Sequence, residues 1–359
     1  MKTRKFFIVS ITFMLAFVFL HIYSNPDGLN DKEKHKMKSI FDETKVQCIG
    51  RYIFDVPSFF VNTQHSAVMI NEYRLGTQRM YLPAFEQMIR LREDELKKTE
   101  AIDPRDRPFL KKSIVLSDEL NGVIFDRNEG VSIPGYGRTL EAYLYHGGVA
   151  FTITKKFDDL SDEKYSQDKA EYLKAGVSDE FFTLASTQIN EIKKMLKTLR
   201  GRLDTDLLKT AGSCMPDGFI SDNVNTKERM SLVYDTGFNI DFSIMTNNFL
   251  REKDSLLDRT SGVRSILSKI NGVVIKHESS IINGIKVDEL LTVGDKSNGP
   301  GKLYQFMLVA NEKNADFYNP IISVSLNNYS PDESLLSEAQ VIDLWNRITR
   351  TIRIRPGAF

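Results

Sequence analysis

The chain has 359 residues, of which 41% are hydrophobic and 27% are charged, and its 48 basic and 48 acidic side chains balance to a net charge of zero. This length and composition are typical of a globular protein of about two domains, and they exclude a collagen-like or wholly disordered chain. The charge balance argues against a nucleic-acid binder, and two cysteines are too few for a disulfide scaffold or a four-thiolate zinc site.

Residues 1–24 are predicted to be a secretory signal or a membrane anchor. Lys2, Arg4 and Lys5 precede an unbroken apolar run over residues 6–20, which extends to residue 23. The run is short for a spanning helix, which usually needs about 20 apolar residues. No small-residue cleavage site follows it, so a cleaved signal and an uncleaved anchor in the inner membrane through residues 6–23 both stay open. In a bacterium, the chain after Ser24 would lie in the periplasm.

Residues 25–44 are polar and charged and are predicted to form a tether between the membrane and the first domain. Without the three basic residues of the leader, 45 basic and 48 acidic side chains remain, a net charge of about −3. An anionic membrane is therefore not expected to attract the body of the protein.

Several sequence markers recur in the same order in two halves of the chain. Cys48 begins the first half and Cys214 the second. The other matched segments are 121–126 and 283–288 (each beginning Asn-Gly), 139–145 and 303–309, 149–154 and 321–326, and 198–202 and 351–355. This shared order suggests an old internal duplication.

Strands and helices alternate within each half. In the first half, the patterns predict strands over 51–56, 68–75, 113–116 and 122–125 and a helix over 83–99; in the second, strands over 229–234 and 239–245, a helix over about 253–269, four more strands and a terminal helix. Short Asn-Gly turns join antiparallel strands. We therefore predict an α+β fold with an N-terminal domain over 45–203 and a C-terminal domain over 204–359. The two domains would be similar, each an antiparallel sheet with helices packed on one face.

A search for catalytic or cofactor-binding motifs finds no nucleophile elbow and no zinc-protease motif. The segment 294–303 fails as a phosphate-binding loop and fits a hairpin loop better. The acidic pairs Asp158–Asp159 and Glu93/Glu95 are typical of solvated surface. No histidine has a second histidine or a cysteine at metal-ligand spacing; the five are His21, His35, His65, His146 and His277. We predict no catalytic residue, no cofactor and no metal, and hence a protein that is not an enzyme.

The two cysteines are candidates for a structural bond. In an oxidising periplasm, Cys48 and Cys214 could form one disulfide that fixes the two halves relative to each other. The alternative is a pair of buried, unpaired thiols.

Two segments carry a family resemblance. Residues 48–57, CIGRYIFDVP, resemble the start of the N-terminal domain of the immunity proteins that guard bacteria against type VI secretion lipase effectors. Residues 212–220, GSCMPDGFI, are similar to the start of that family's C-terminal domain. The resemblance covers nearly the whole chain after the leader, although the lipid-modifiable cysteine of a lipoprotein is missing.

The resemblance implies a non-catalytic periplasmic inhibitor that binds a phospholipase toxin and blocks the entrance to its active site. The alternatives are an envelope sensor or binding protein for lipid or glycan and, with less support, a hydrolase with an unrecognised site. Loops 101–108 and 294–301 are candidate partner contacts because they are long, polar and rich in turn formers, and they could equally be idle surface.

Overall fold

A computed structural model describes residues 28–63, 65–71, 73–116, 120–221, 226–297 and 299–359. The predicted leader, residues 1–24, lies outside this range. In the described part of the chain, no helix combines the length and the apolar character that crossing a membrane requires.

The described residues form seven α-helices, several short 3-10 turns and nineteen strands. The helices are α1 (Asp31–Ile40), α2 (Leu82–Lys98), α3 (Ser166–Lys174), α4 (Ala185–Leu196), α5 (Leu256–Arg259), α6 (Val263–Leu267) and α7 (Glu338–Thr349). The strands of the first half are β1 (Thr44–Ile49), β2 (Tyr52–Pro57), β3 (Val61–Asn62), β4 (Ala67–Ile70), β5 (Tyr73–Arg79), β6 (Leu110–Val115), β7 (Asn121–Asn128), β8 (Gly137–His146), β9 (Val149–Asp158) and β10 (Leu199–Gly201). Those of the second half are β11 (Gly212–Met215), β12 (Gly218–Ser221), β13 (Glu228–Asp235), β14 (Asp241–Asn247), β15 (Val273–Ile282), β16 (Ile285–Asp295), β17 (Lys302–Ala310), β18 (Ile321–Asn327) and β19 (Arg353–Ile354).

One large antiparallel sheet runs through both halves. Its strand order is β15-β16-β17-β18-β14-β13-β4-β5-β9-β8-β7-β6, with β3 also paired to β13. Counted from its outer edge to the centre, the second half has the order β15, β16, β17, β18, β14, β13, and the first half has the order β6, β7, β8, β9, β5, β4. The matched sequence segments that lie in this sheet fall in strands at the same places in these two orders. The prediction of a separate sheet in each half needs correction, because β4 and β13 pair with each other, Val68 opposite Met230. The inner edge strands of the two halves thereby satisfy each other's backbone groups.

Two small sheets join the halves a second time. The hairpin β1–β2 of the first half pairs with β19 from the end of the second, and the hairpin β11–β12 of the second half pairs with β10 from the end of the first. Arg353 lies opposite Ile53, and Arg200 lies opposite Phe219. Arg353 corresponds to Arg200 in the repeat, and Ile53 corresponds to Phe219. Each half therefore begins with a hairpin, and the last strand of the other half pairs with that hairpin.

A disulfide bond connects the two hairpins. Cys48 and Cys214 are bonded, with their Cα atoms 5.6 Å apart. Beside it, the Gly50 and Cys214 backbones exchange two hydrogen bonds of 2.8 Å. Gly50 has a φ of +54°, and a Cβ there would lie 2.6 Å from Thr246 Cγ2, so this close approach requires glycine.

The hydrophobic core is shared between the halves. Phe54 of β2 packs on Tyr234 and Phe242 of the second half, with ring centroids 6.2 and 6.3 Å apart. All three side chains are fully buried and belong to one cluster that draws on both halves. Separating the halves would therefore expose a large apolar area.

The segment predicted as a polar tether, residues 25–44, is folded in its described part. Helix α1 begins with a capping box between Asn30 and Glu33 and buries Met37 and Ile40. The Lys36 ammonium donates to the Leu335 carbonyl 2.9 Å away, which fixes the helix to the second half. The polar composition describes the exposed face of this helix, and two apolar residues three positions apart suffice to dock the other face.

Two predicted elements are divided in the structure. The strand predicted over 68–75 is the hairpin β4–β5, which turns at Asn71 with a φ of +47°. The helix predicted over 253–269 consists of α5 and α6 followed by a 3-10 turn, with Gly262 just before α6. The helix predicted over 83–99 matches α2 closely.

Candidate functional site

A cleft of about 900 Å³ lies beside the junction of the two halves. Ile70 and Tyr73, from the β4–β5 hairpin, lie at its base, and helix α4 forms one wall. The second half contributes Ile220 and Thr226. A partner seated in this cleft would therefore contact both halves at once.

Hydrogen bonds fix the base of the cleft to the helical wall. The Tyr73 hydroxyl donates to Glu191 Oε2 at 3.0 Å and contacts Gln188 Oε1 at 3.4 Å. The Lys155 ammonium lies 5.2 Å from the centroid of the Tyr73 ring. Because β5 and α4 are held in this way, the cleft is formed before any partner binds.

Charges of both signs line the cleft. Lys156 of β9 and Glu129, just after β7, are paired at 2.7 Å. Burial, and then the negative charge of Glu129, raise the pKa of Asp158 above its usual value. The mixed charges and apolar side chains suit a protein surface that presents both polar and apolar groups.

The rim of the cleft carries exposed aromatic and aliphatic groups. Residues 161–184, which we call the aromatic flap, include α3, a helix with no buried residue. A chain of ring contacts at 5.3 to 6.1 Å runs through it and joins Tyr165, Tyr136, Tyr172, Phe182 and Phe181.

The last ring of this chain is open to solvent. Phe181 lines the cleft and is 63% exposed, while Leu184 beside it is 51% exposed. An exposed apolar patch next to a preformed cleft is typical of a protein-binding surface.

The residues singled out from the sequence lie elsewhere. Cys48 and Cys214 are joined in the disulfide, so neither is a free thiol. The His146 Nδ1 accepts a hydrogen bond from the Gly201 amide at 3.2 Å, and the His277 Nε2 lies 3.2 Å from the Thr260 hydroxyl. His35 and His65 are exposed, and His21 is outside the described residues. The described residues contain no group of three or more His, Cys, Asp or Glu side chains placed to hold a metal.

The acidic pairs have ordinary partners, although Asp159 is buried and does not lie on the solvated surface expected for it. Glu93 pairs with Lys97 and Glu95 with Arg92 on the surface of α2. Asp159 accepts hydrogen bonds from the Ser161 and Ala185 amides at 3.0 and 2.8 Å. Of the four residues in these two pairs, only Asp158 lines the cleft.

The two loops named as candidate contacts do not line the cleft. In 294–301, the Lys296 ammonium is anchored to the Ser330 and Asp332 carbonyls. Loop 101–108 instead borders a second, smaller cavity. The sequence reasoning missed the aromatic flap, for which the adjacent phenylalanines 181 and 182 in a polar stretch were the available signal.

Solved structures of immunity proteins have this fold. The chain is similar to the apo form of immunity protein TplEi of the T6SS from Pseudomonas aeruginosa, with a TM-score of 0.69 at 16% identity over 87% of this chain and 97% of that one. It is also similar to a chain in the Tle4–Tli4 complex, with a TM-score of 0.67 at 16% identity over 87% of this chain and 98% of that one. TplEi in complex with an "L" peptide matches with a TM-score of 0.64 at 17% identity over 87% and 98%.

The sequence itself matches family models over most of its length. No curated protein sequence matches the chain. The model of the Tle cognate immunity protein 4 N-terminal domain matches residues 45–202, and that of the corresponding C-terminal domain matches residues 208–357. The chain therefore belongs to the Tle cognate immunity protein 4 family.

Proposed function

We propose that this chain is a periplasmic immunity protein that binds a type VI secretion lipase effector in the cleft and blocks the entrance to its active site. The observation that carries the proposal is the cleft itself, which is preformed, lined by both halves and bordered by the exposed Phe181. The similarity to a chain crystallised as the Tle4–Tli4 complex supports an effector as the partner.

The geometry supports inhibition in which the bound chain blocks access to the effector's active site and no chemical reaction takes place. A specific protein interface buries about 800 Å² on each partner, so the effector is expected to contact surface around the cleft as well as the cleft itself. An effector segment held there would be kept from its substrate without any bond being made or broken. We therefore propose a binder without catalytic activity.

The two halves are proposed to be two domains, divided between residues 203 and 204, that contact the effector from two sides. The ranges of the two family models, which end at 202 and begin at 208, support that division. The shared sheet, the shared core and the disulfide would keep the two domains in a fixed relative position.

The leader is proposed to export the chain to the compartment where the effector acts, with residues 6–23 either cleaved or retained in the inner membrane. The short apolar run behind Lys2, Arg4 and Lys5 supports export.

The test is a titration of phospholipase activity of the effector encoded beside this gene with the purified full chain. Activity is expected to fall linearly to zero at a fixed molar ratio, because a tight inhibitor removes one effector molecule for each complex formed. Unchanged activity, with no complex on a sizing column, would overturn the proposal and favour an envelope-binding protein. Turnover of phospholipid by the chain alone would contradict the absence of catalysis.

A further inference from the structure

A second cavity, of about 350 Å³, lies under the aromatic flap. Four basic side chains line it, together with two carboxylates; these six residues are Arg107, Lys111, Arg138, Lys164, Asp159 and Asp162. We call it the basic pocket. Its lining comes from three separate segments of the chain, so a ligand inside would be contacted from several sides.

Backbone carbonyls hold the two lysines in place. The Lys111 ammonium donates to the Asp106 carbonyl at 2.7 Å, and the Lys164 ammonium donates to the Arg105 carbonyl at 2.9 Å. An ammonium has three donors, so each lysine keeps donors for a further acceptor. Among the described residues, no carboxylate lies within 4.0 Å of the Lys111 ammonium, and Lys164 has Asp162 at 3.7 Å.

Of the two arginines of the pocket, Arg107 pairs with Glu100 at 3.1 Å, whereas Arg138 keeps unused hydrogen-bonding capacity. Arg138 pairs with the buried carboxylate of Asp126 through one terminal nitrogen, and its side chain is 14% exposed. Its Nε is buried and, within the described part of the chain, has no hydrogen-bond partner. Such a buried donor is costly unless an acceptor reaches it.

The carboxylates nearby are already occupied. Asp159 accepts hydrogen bonds from two backbone amides, and the Asp106 carboxylate accepts one from the Tyr165 hydroxyl at 2.6 Å. Burial, and then the positive charges of Arg138 and Lys164, lower the pKa of Lys111. Lys111 therefore lies beside two other cations, Arg138 and Lys164.

We propose that the basic pocket binds the phosphate group of a small phosphorylated ligand. Cationic donors from β6, β8 and the turn before α3 converge on one cavity, and a tetrahedral phosphate accepts hydrogen bonds from several directions, unlike a planar carboxylate. The cavity is larger than a phosphate alone, which leaves room for one attached group such as glycerol. The phosphate could belong to a soluble ester or to a phospholipid headgroup.

The test is isothermal titration of the full chain in nonionic detergent with inorganic phosphate and with glycerol 3-phosphate, at constant ionic strength and against chloride. We expect both phosphates to bind, and glycerol 3-phosphate to bind more tightly. Lys111→Gln and Lys164→Gln should each raise the Kd at least tenfold, because each removes one of the cationic donors. Lys253→Gln, a matched change at an exposed lysine in the second half, should leave the Kd unchanged.

A third arm distinguishes the two sources of phosphate. If the chain sediments with phosphatidylglycerol vesicles and Lys111→Gln abolishes this binding, the phosphate belongs to a lipid headgroup. If the chain binds glycerol 3-phosphate but not the vesicles, the phosphate belongs to a soluble ester. Absence of binding to both small phosphates, or equal Kd values for Lys111→Gln and Lys253→Gln, would overturn the proposal. No effector is present in this assay, so its failure would leave the proposed function intact.

Discussion

In the first half of the sheet, β5 is followed by the 17-residue helix α2, whereas in the second half β14 is followed by α5 and α6, of four and five residues. The path from β9 to α4 contains the aromatic flap, while the corresponding path from β18 to α7 runs over residues 328–337 without a helix. The strand order is the same in both halves. The repeated frame therefore sets the position of the cleft, and the insertion unique to the first half supplies its apolar rim.

Each half also contains a buried carboxylate that accepts hydrogen bonds from two cationic side chains. Glu141 accepts from Arg92 and Arg127, and Glu289 accepts from Arg350 and Lys276. Glu289 is fully buried and also receives the Trp345 indole N–H at 3.0 Å, whereas Glu141 keeps a small exposed fraction. We therefore expect loss of Glu289 to lower the free energy of unfolding more than loss of Glu141 does.

The largest expected effect on stability comes from the bond that links the halves. Replacing both Cys48 and Cys214 with alanine should lower the free energy of unfolding by about 4–5 kcal/mol, because the unfolded chain is no longer closed between residues 166 apart. Urea unfolding of the variant and of reduced wild-type protein measures this, and the two should agree. A loss below about 1 kcal/mol would mean that the shared core alone fixes the halves.

The buried acids test the comparison within the sheet. Glu289→Gln should cost about 3 kcal/mol and Glu141→Gln less, because the Glu289 carboxylate is fully buried and also accepts the Trp345 indole N–H, whereas Glu141 keeps a small exposed fraction. Equal losses measured by urea unfolding would contradict the asymmetry between the halves.

The same acids predict a pH dependence. Burial by itself raises the pKa of Glu289, but the hydrogen bonds from Arg350 and Lys276 outweigh it, so the pKa lies below its usual 4.5. The pKa of Glu141 is lowered in the same way by Arg92 and Arg127 against the effect of burial. A lowered folded pKa gives stability that is present above about pH 4.5 and is lost as the pH falls through the folded value. As the pH is lowered from 5, the free energy of unfolding measured with urea should therefore fall less for Glu289→Gln than for the wild type.

Two repeat-related arginines hold the segment between the halves. Arg202 donates to carbonyls that include those of Asp204 and Gly218, and Arg355 donates to those of Leu208 and Gly212. Arg202→Lys and Arg355→Lys should each cost about 1–3 kcal/mol, since an ammonium cannot reach the same spread of acceptors. Similar losses would show that both arginines serve the connection, and no loss at either would contradict this role.

Local patterns predicted the repeated strands but not the way in which they join. The two Asn-Gly pairs and the apolar alternation after them are local signals, and the structure has β7 and β16 at equivalent places, although only Asn283-Gly284 forms a turn and Asn121-Gly122 begins β7 itself. The pairing of Val68 with Met230 leaves no such signal, because a short strand has the same sequence whether its edge is free or paired across 162 residues.

The candidate site was hidden for a related reason. Phe181 and Phe182 are adjacent in sequence, and only the folded flap shows that Phe181 is the more exposed of the two. The tether prediction failed at α1 because mean polarity hides the two apolar residues, Met37 and Ile40, that dock it.

The most direct test of the cleft as the effector-binding surface is the Kd of the effector complex for Phe181→Asp and Ile266→Asp. Both side chains are highly exposed, 63% and 67%, so both changes should leave stability within about 0.5 kcal/mol of wild type. We expect Phe181→Asp to raise the Kd at least about tenfold, because it places a charge in the apolar rim, and Ile266→Asp, in the second half and away from the cleft, to leave it unchanged. Equal Kd values for wild type and both variants would contradict the assignment of the cleft.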